Sequence, residues 1–183
     1  MKTRFRLSIP ACCGVVLAAT LAALAAPSAH AGRVHGVRAN GDGSATAATG
    51  VARRGPNGGG VLRGRAITGD GQGNASAASG AAVRGPNGGT ARRAGTTSVH
   101  ADGSASHSSG LSASNARGTV DSSGSASRDA AGNAQQSRTT TATSAATGNS
   151  VQASTTTTRE AGVVDRDRSV TCTDAAGAVI ACR

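Results

Sequence analysis

Glycine returns at a fixed step along most of this chain, and that step limits what the chain can become. Gly43, Gly58, Gly73, Gly88, Gly103 and Gly118 lie fifteen residues apart, and Gly132, Gly148, Gly162 and Gly177 continue the series after small slips. Regular spacing of this kind marks a structural repeat. The neighbours of these glycines repeat at twice the step. Arg54-Gly55-Pro56-Asn57-Gly58-Gly59 recurs thirty residues on as Arg84-Gly85-Pro86-Asn87-Gly88-Gly89, while Gly41-Asp42-Gly43-Ser44 gives way to Gly71-Gln72-Gly73-Asn74 and Ala101-Asp102-Gly103-Ser104. Two kinds of turn therefore alternate. Proline presets the backbone at one turn position, Asn tolerates the next, and glycine takes the left-handed conformation that closes a three-residue hairpin loop.

Each unit reads as a turn and a strand of about ten residues. Period-two alternation supports the strand: Ala105, Leu111 and Ala113 fall on one face, Ser104, Ser106, Ser108, Ser112 and Ser114 on the other. Val151, Ala153, Thr155 and Thr157 likewise alternate with Ser150, Gln152, Ser154, Thr156 and Thr158. No helical period is sustained. The expected fold is all-β, either an antiparallel meander or a β-solenoid of fifteen-residue strand-turn units, with much of the chain able to stay disordered. A second glycine series, Gly50, Gly64, Gly80, Gly95, Gly110 and Gly124, falls mid-strand, where it weakens a strand or marks a bend or close backbone approach.

Composition excludes an ordinary core. The only Phe, Phe5, precedes the repeats, and Trp and Tyr are absent. Scattered valines with Leu62, Ile67, Leu111 and Ile180 cannot fill a two-layer domain. A thin sheet, a solenoid, disorder or order gained by association remain.

The first residues carry Lys2, Arg4 and Arg6, then an apolar stretch to Ala26, then Ala29-His30-Ala31. That is the pattern of a secretory signal peptide, residues 1–31, with cleavage expected after Ala31 and no transmembrane segment afterwards. The expected location is periplasmic or extracellular. The repeats occupy residues 32–168, and residues 169–183 form a separate C-terminal hairpin around Asp174-Ala175-Ala176-Gly177. Cys172 and Cys182, the only cysteines left after cleavage, are expected to pair in the oxidising compartment, with Cys182 bending back to reach.

The formal charge is +10, and every basic side chain beyond the leader except histidine is arginine. Arginine favours bidentate contact with phosphate, sulfate or carboxylate. The doublets Arg53-Arg54 and Arg92-Arg93 are the candidate anion contacts, with anionic surface polymers or lipid head groups as partners. Without aromatic platforms no specific nucleic-acid recognition is expected.

His100, Asp102 and Ser104 are the residue types of a hydrolytic triad, but their closeness in sequence is not triad geometry, and no catalytic role is assigned to them. No catalytic, cofactor-binding or metal-binding residue is expected: the mature part has no lysine for a phosphate-binding loop, and its turns offer too few carboxylates for calcium. Thr139, Thr141 and Thr143 with Thr155 and Thr157 suggest a same-face threonine ladder of the ice-binding kind, a minor alternative.

The Asp-x-x-Gly punctuation and the ending Thr171-Cys172-Thr173-Asp174 to Cys182-Arg183 resemble uncharacterised secreted Gly/Ser/Thr-rich repeat proteins of Gram-negative bacteria. The resemblance implies no activity and carries no functional residues. The expectation is a non-enzymatic exported protein with a structural or adhesive role, self-associating through exposed sheet edges. An arginine-mediated binding module is the alternative.

Overall fold

The computed structural model describes residues 31–182, so the leader up to His30 lies outside the described residues. Ten long strands and one short one follow each other: β1 (Ala31–Ala39), β2 (Ala45–Arg54), β3 (Gly60–Gly69), β4 (Ala75–Arg84), β5 (Thr90–Val99), β6 (Ala105–Asn115), β7 (Gly118–Arg128), β8 (Ala134–Ser144), β9 (Ser150–Glu160), β10 (Val163–Thr173) and β11 (Val179–Ile180). They form one antiparallel sheet in sequential order, β1 to β11. The meander is thus realised and the solenoid is not. Each strand pairs with its predecessor because a loop of two to five residues returns the chain immediately alongside.

The turns explain the thirty-residue alternation. At one end of the sheet, Gly58 N–H donates to the Gly55 carbonyl at 3.3 Å and Gly55 N–H to the Gly59 carbonyl at 2.7 Å, with Gly58 at φ +76°. The loop 85–89 repeats this pattern, with bonds of 3.2 and 2.7 Å. At the other end a polar side chain closes the loop instead. The Asp42 and Asp102 carboxylates accept the N–H groups of Ser44 and Ser104 at 2.9 and 2.8 Å. Asp70 and Asp129 accept the N–H groups of Asn74 and Asn133 at 3.0 and 2.9 Å.

Neighbouring turns at this second end also touch. The Asn74 amide oxygen accepts Ala101 N–H at 3.0 Å, and that of Asn133 accepts Ala161 N–H at 3.3 Å, so each Asn ties its turn to the next one along the edge. Space there is tight: a Cβ on Gly71 would come within 2.7 Å of the Gly43 carbonyl oxygen.

The sheet has two faces and almost no interior. Leu62, 6% exposed, is the one buried hydrophobic side chain among the described residues. At the C-terminus, Cys172 lies opposite Ile180, and Cys182 bends back to bond it with the two Cα atoms 5.4 Å apart. This is the pairing the sequence suggested. β10 runs unbroken from Val163 to Thr173, so the hairpin grows out of the sheet itself.

Candidate binding faces

Directly paired residues in an antiparallel sheet project to the same side, so the register sorts every strand side chain onto one of two faces. Face A carries Leu62 and its row across the strands: Ala52, Leu62, Ala82, Arg92, Ser112, Asp121, Thr141 and Gln152. Face B carries the neighbouring residues, including Val51, Arg63, Ala81, Arg93, Leu111 and Ser122.

Face A is a hydroxyl surface with a trough in it. Cross-strand hydroxyl contacts join Thr96 to Ser108 at 2.8 Å, Ser125 to Ser137 at 2.9 Å, Thr139 to Ser154 at 3.2 Å and Ser150 to Thr173 at 2.6 Å. Such pairs stabilise a sheet by a few tenths of a kcal/mol each, roughly 0.2 to 1. The mid-strand glycines Gly50, Gly64, Gly80 and Gly110 fall in one row with Val34, Ala94 and Ser123. Apart from Val34 at its β1 end, this row has little or no side chain and forms the floor of a groove that runs from β1 to β8 beside Leu62. Gly95 and Gly124, from the same sequence series, lie on face B.

Charge separates between the faces. Face B holds ten strand arginines: Arg33, Arg53, Arg63, Arg65, Arg93, Arg128, Arg138, Arg159, Arg166 and Arg168. No Asp or Glu of any described strand lies with them. Face A holds Arg38, Arg54, Arg84 and Arg92 together with Asp121, Glu160, Asp165 and Asp167, and so carries no net strand charge. All ten face-B arginines are exposed.

The thirty-residue repeat sets the arginine spacing. Thirty residues are two strands, so Arg33, Arg63 and Arg93 fall in one row on β1, β3 and β5, about 9 to 10 Å apart. Arg138 and Arg168 share a second row on β8 and β10, and Arg128 and Arg159 a third on β7 and β9. The interleaved strand places a small or apolar residue between like charges, as Val51 and Ala81 do around Arg63. Several guanidinium groups are steadied by the sheet. Arg138 donates to the Ser122 hydroxyl at 3.4 Å, Arg166 to Thr157 at 3.3 Å and Arg128 to the Gly103 carbonyl at 2.9 Å.

Face B also has an apolar margin. Val61, Val83, Ala91, Ala113, Val120, Ala142, Val151 and Cys172 form one cross-strand row that ends at Ile180. Its valines are more than a third exposed.

The register redistributes the expected site residues. Arg53 and Arg93 reach face B, whereas Arg54 and Arg92 point to face A, because adjacent strand residues project to opposite sides. Neither doublet is therefore a single anion contact. The threonine ladder is also divided. Thr139, Thr141 and Thr143 lie on face A opposite Ser154, Gln152 and Ser150, while Thr155 and Thr157 lie on face B opposite Arg138 and Gln136. The same-face array does not form, because the connection between β8 and β9 pairs odd residues with even ones.

His100, Asp102 and Ser104 occupy the turn between β5 and β6. The Ser104 hydroxyl and N–H hold the Asp102 carboxyl below its usual range, and His100 adds a smaller push in the same direction. Asp42 is lowered by the same arrangement with Ser44, and Asp70 and Asp129 are lowered first by the side chains of Asn74 and Asn133. These carboxylates are turn closures.

Among the described residues no three His, Cys, Asp or Glu side chains are grouped to hold a metal ion, and no helix is long and apolar enough to cross a membrane. No protein-family model, curated protein or solved structure matches the chain.

Proposed function

We propose that this is a non-enzymatic exported repeat protein with a structural or adhesive role at the cell envelope or outside the cell, and that its adhesive surface is face B. The leader pattern and the disulfide fit export to an oxidising compartment. The observation that carries the adhesive reading is the placement of ten arginines on one face with no strand carboxylate among them. A fibrous or filler sheet has no need to segregate charge, and mixing signs on both faces favours solubility equally well.

Anionic surface polymers are the partner this face suits. Guanidinium groups bind carboxylate, sulfate or phosphate through paired N–H donors, and the broad open sheet offers many weak contacts. Aromatic platforms for bases or sugar rings are missing, so recognition rests on charge and spacing. The test is retention of the mature protein on an immobilised acidic polysaccharide at increasing salt. Retention that falls steeply with ionic strength supports the reading, because exposed charge pairs are screened within a Debye length. Retention indifferent to salt, or none at low salt, contradicts it.

A further inference from the structure

We infer that the protein assembles head to tail, β1 of one copy adding to β10 of the next so that the meander continues across the joint. The inference concerns the sheet edges and is independent of what binds face B. Both edges are open over a matching length. β1 is exposed at all nine residues, and among the described residues no strand borders it beyond its pairing with β2. β10 is bordered on its outer side by β11 at Cys172 and Thr173 and by Cys182, which the disulfide holds against Cys172, and among the described residues no strand covers Val163 to Thr171.

The topology makes the joint compatible in direction and face. β1 and β10 run in opposite directions, so a translated second copy brings its β1 antiparallel to β10 with face A still meeting face A. Face matching allows register changes only in steps of two residues. β11 then limits the choice, because a register pairing Gly32 with Thr173 collides with Val179. The longest register left pairs Gly32 with Thr171 and Ala39 with Val164. Gly32 is the first residue after the cleavage expected behind Ala31, so the free strand would begin where the hairpin ends.

Side chains in that register are complementary where it matters for orientation. On face A, Arg38 falls opposite Asp165, and Gly36 falls opposite Asp167, leaving room for Arg38 to reach either carboxylate. On face B, Val37 and Ala39 meet Arg166 and Val164, and Arg33 meets Val170. Because the contact joins two different edges, each added copy presents a fresh edge, and with the second copy related by translation the series grows as a filament rather than closing into a ring. The disulfide hairpin thereby serves as a register stop.

Sedimentation of the mature protein across concentration, without added polymer, should show mass rising beyond a dimer. Arg38→Asp sets two carboxylates against each other and should weaken association roughly 2- to 30-fold, and the charge swap Arg38→Asp with Asp165→Arg should restore it. Gly36→Cys combined with Asp167→Cys should give an oxidation-dependent covalent ladder, since a Cβ on Gly36 meets nothing within 4 Å. A protein that stays monomeric at all concentrations overturns the inference. So does Gly36→Cys alone giving the same yield of dimer and no ladder from the pair, which would place two β1 edges together.

Discussion

The two faces of this sheet are built by the same backbone and differ in what they leave exposed. Face A pairs hydroxyls across strands, balances its charges and encloses Leu62 beside a glycine-floored groove. Face B exposes ten arginines, seven of them in rows two strands apart, and an apolar margin of valines. The difference teaches how a chain with almost no core can divide labour. Side-chain hydrogen bonds cross strands on both sides of the pleat, as Thr96 to Ser108 on face A and Ser122 to Thr140 on face B, and only the uncompensated charge is confined to one side.

Binding is where the faces should differ most. Replacing Arg33, Arg63 and Arg93 by Gln removes one row of face B. At about 1 kcal/mol per basic residue near an anionic surface, affinity for an acidic polysaccharide should fall on the order of 100-fold. Replacing Arg84 and Arg92 on face A should leave titrations within about threefold, roughly the effect of a distant charge screened by salt. Equal losses from the two variants would erase the distinction between faces.

Apolar truncation should separate the faces in stability. Leu62→Ala is expected to cost about 2 to 3 kcal/mol, the lower part of the range for buried leucines, because its groove is open on one side. Leu111→Ala, on face B and 39% exposed, should cost about 1 kcal/mol or less in urea denaturation. Similar losses would mean that face B is covered in solution.

Mid-strand glycines sharpen the comparison further. A Cβ on Gly64 meets only the Thr49 carbonyl oxygen at 3.5 Å, an ordinary contact. Gly64→Ala should therefore be neutral or raise stability by up to about 1 kcal/mol by restricting the unfolded chain. At Gly95 on face B the Ser108 carbonyl oxygen stands at 3.2 Å with the His107 ring close behind, so Gly95→Ala should be the less stable of the two. Thermal midpoints in parallel would order them.

The smallest effect belongs to neither face. Asp42, Asp70, Asp102 and Asp129 have lowered carboxyl pKa values from bonds within their turns. Since the folded value is depressed, the stabilisation is present above the ordinary Asp value of about 3.9 and is lost as pH falls through the folded value. Three of these groups are exposed and Asp70 is half-buried, so the acid loss should be slight. Replacing all four by Asn should flatten it, as followed by denaturation between neutral pH and pH of about 3.

Much of the fold was legible because its signals are local. The alternating Pro-Asn-Gly and Asp-x-x-Gly turns point to strands and tight turns, and so to an all-β fold, but the same thirty-residue alternation fits a two-cornered solenoid coil as well as a meander. Cys172 and Cys182 flank a short turn in a chain with no other cysteine beyond the leader. The faces were less legible because they depend on parity across turns. Arg53-Arg54 and Arg92-Arg93 stand out in the sequence by adjacency, yet adjacency in a strand guarantees opposite sides. The row Arg33, Arg63 and Arg93 carries the meaningful spacing, at the repeat period itself, and is hidden by the arginines around it. Thr155 was separated from Thr139 by the register between β8 and β9, which alternation within either strand cannot reveal.

The most direct test of the central claim is arginine footprinting. The mature protein, saturated with an acidic polysaccharide at low salt, would be treated with a guanidine-selective dicarbonyl reagent, and modification at each arginine read by mass spectrometry against the free protein. Segregated faces predict protection concentrated at Arg33, Arg63, Arg93, Arg138 and Arg168, with Arg84 and Arg92 modified as in the free protein. Equal protection on both sides of the sheet, or none on face B, would contradict the account.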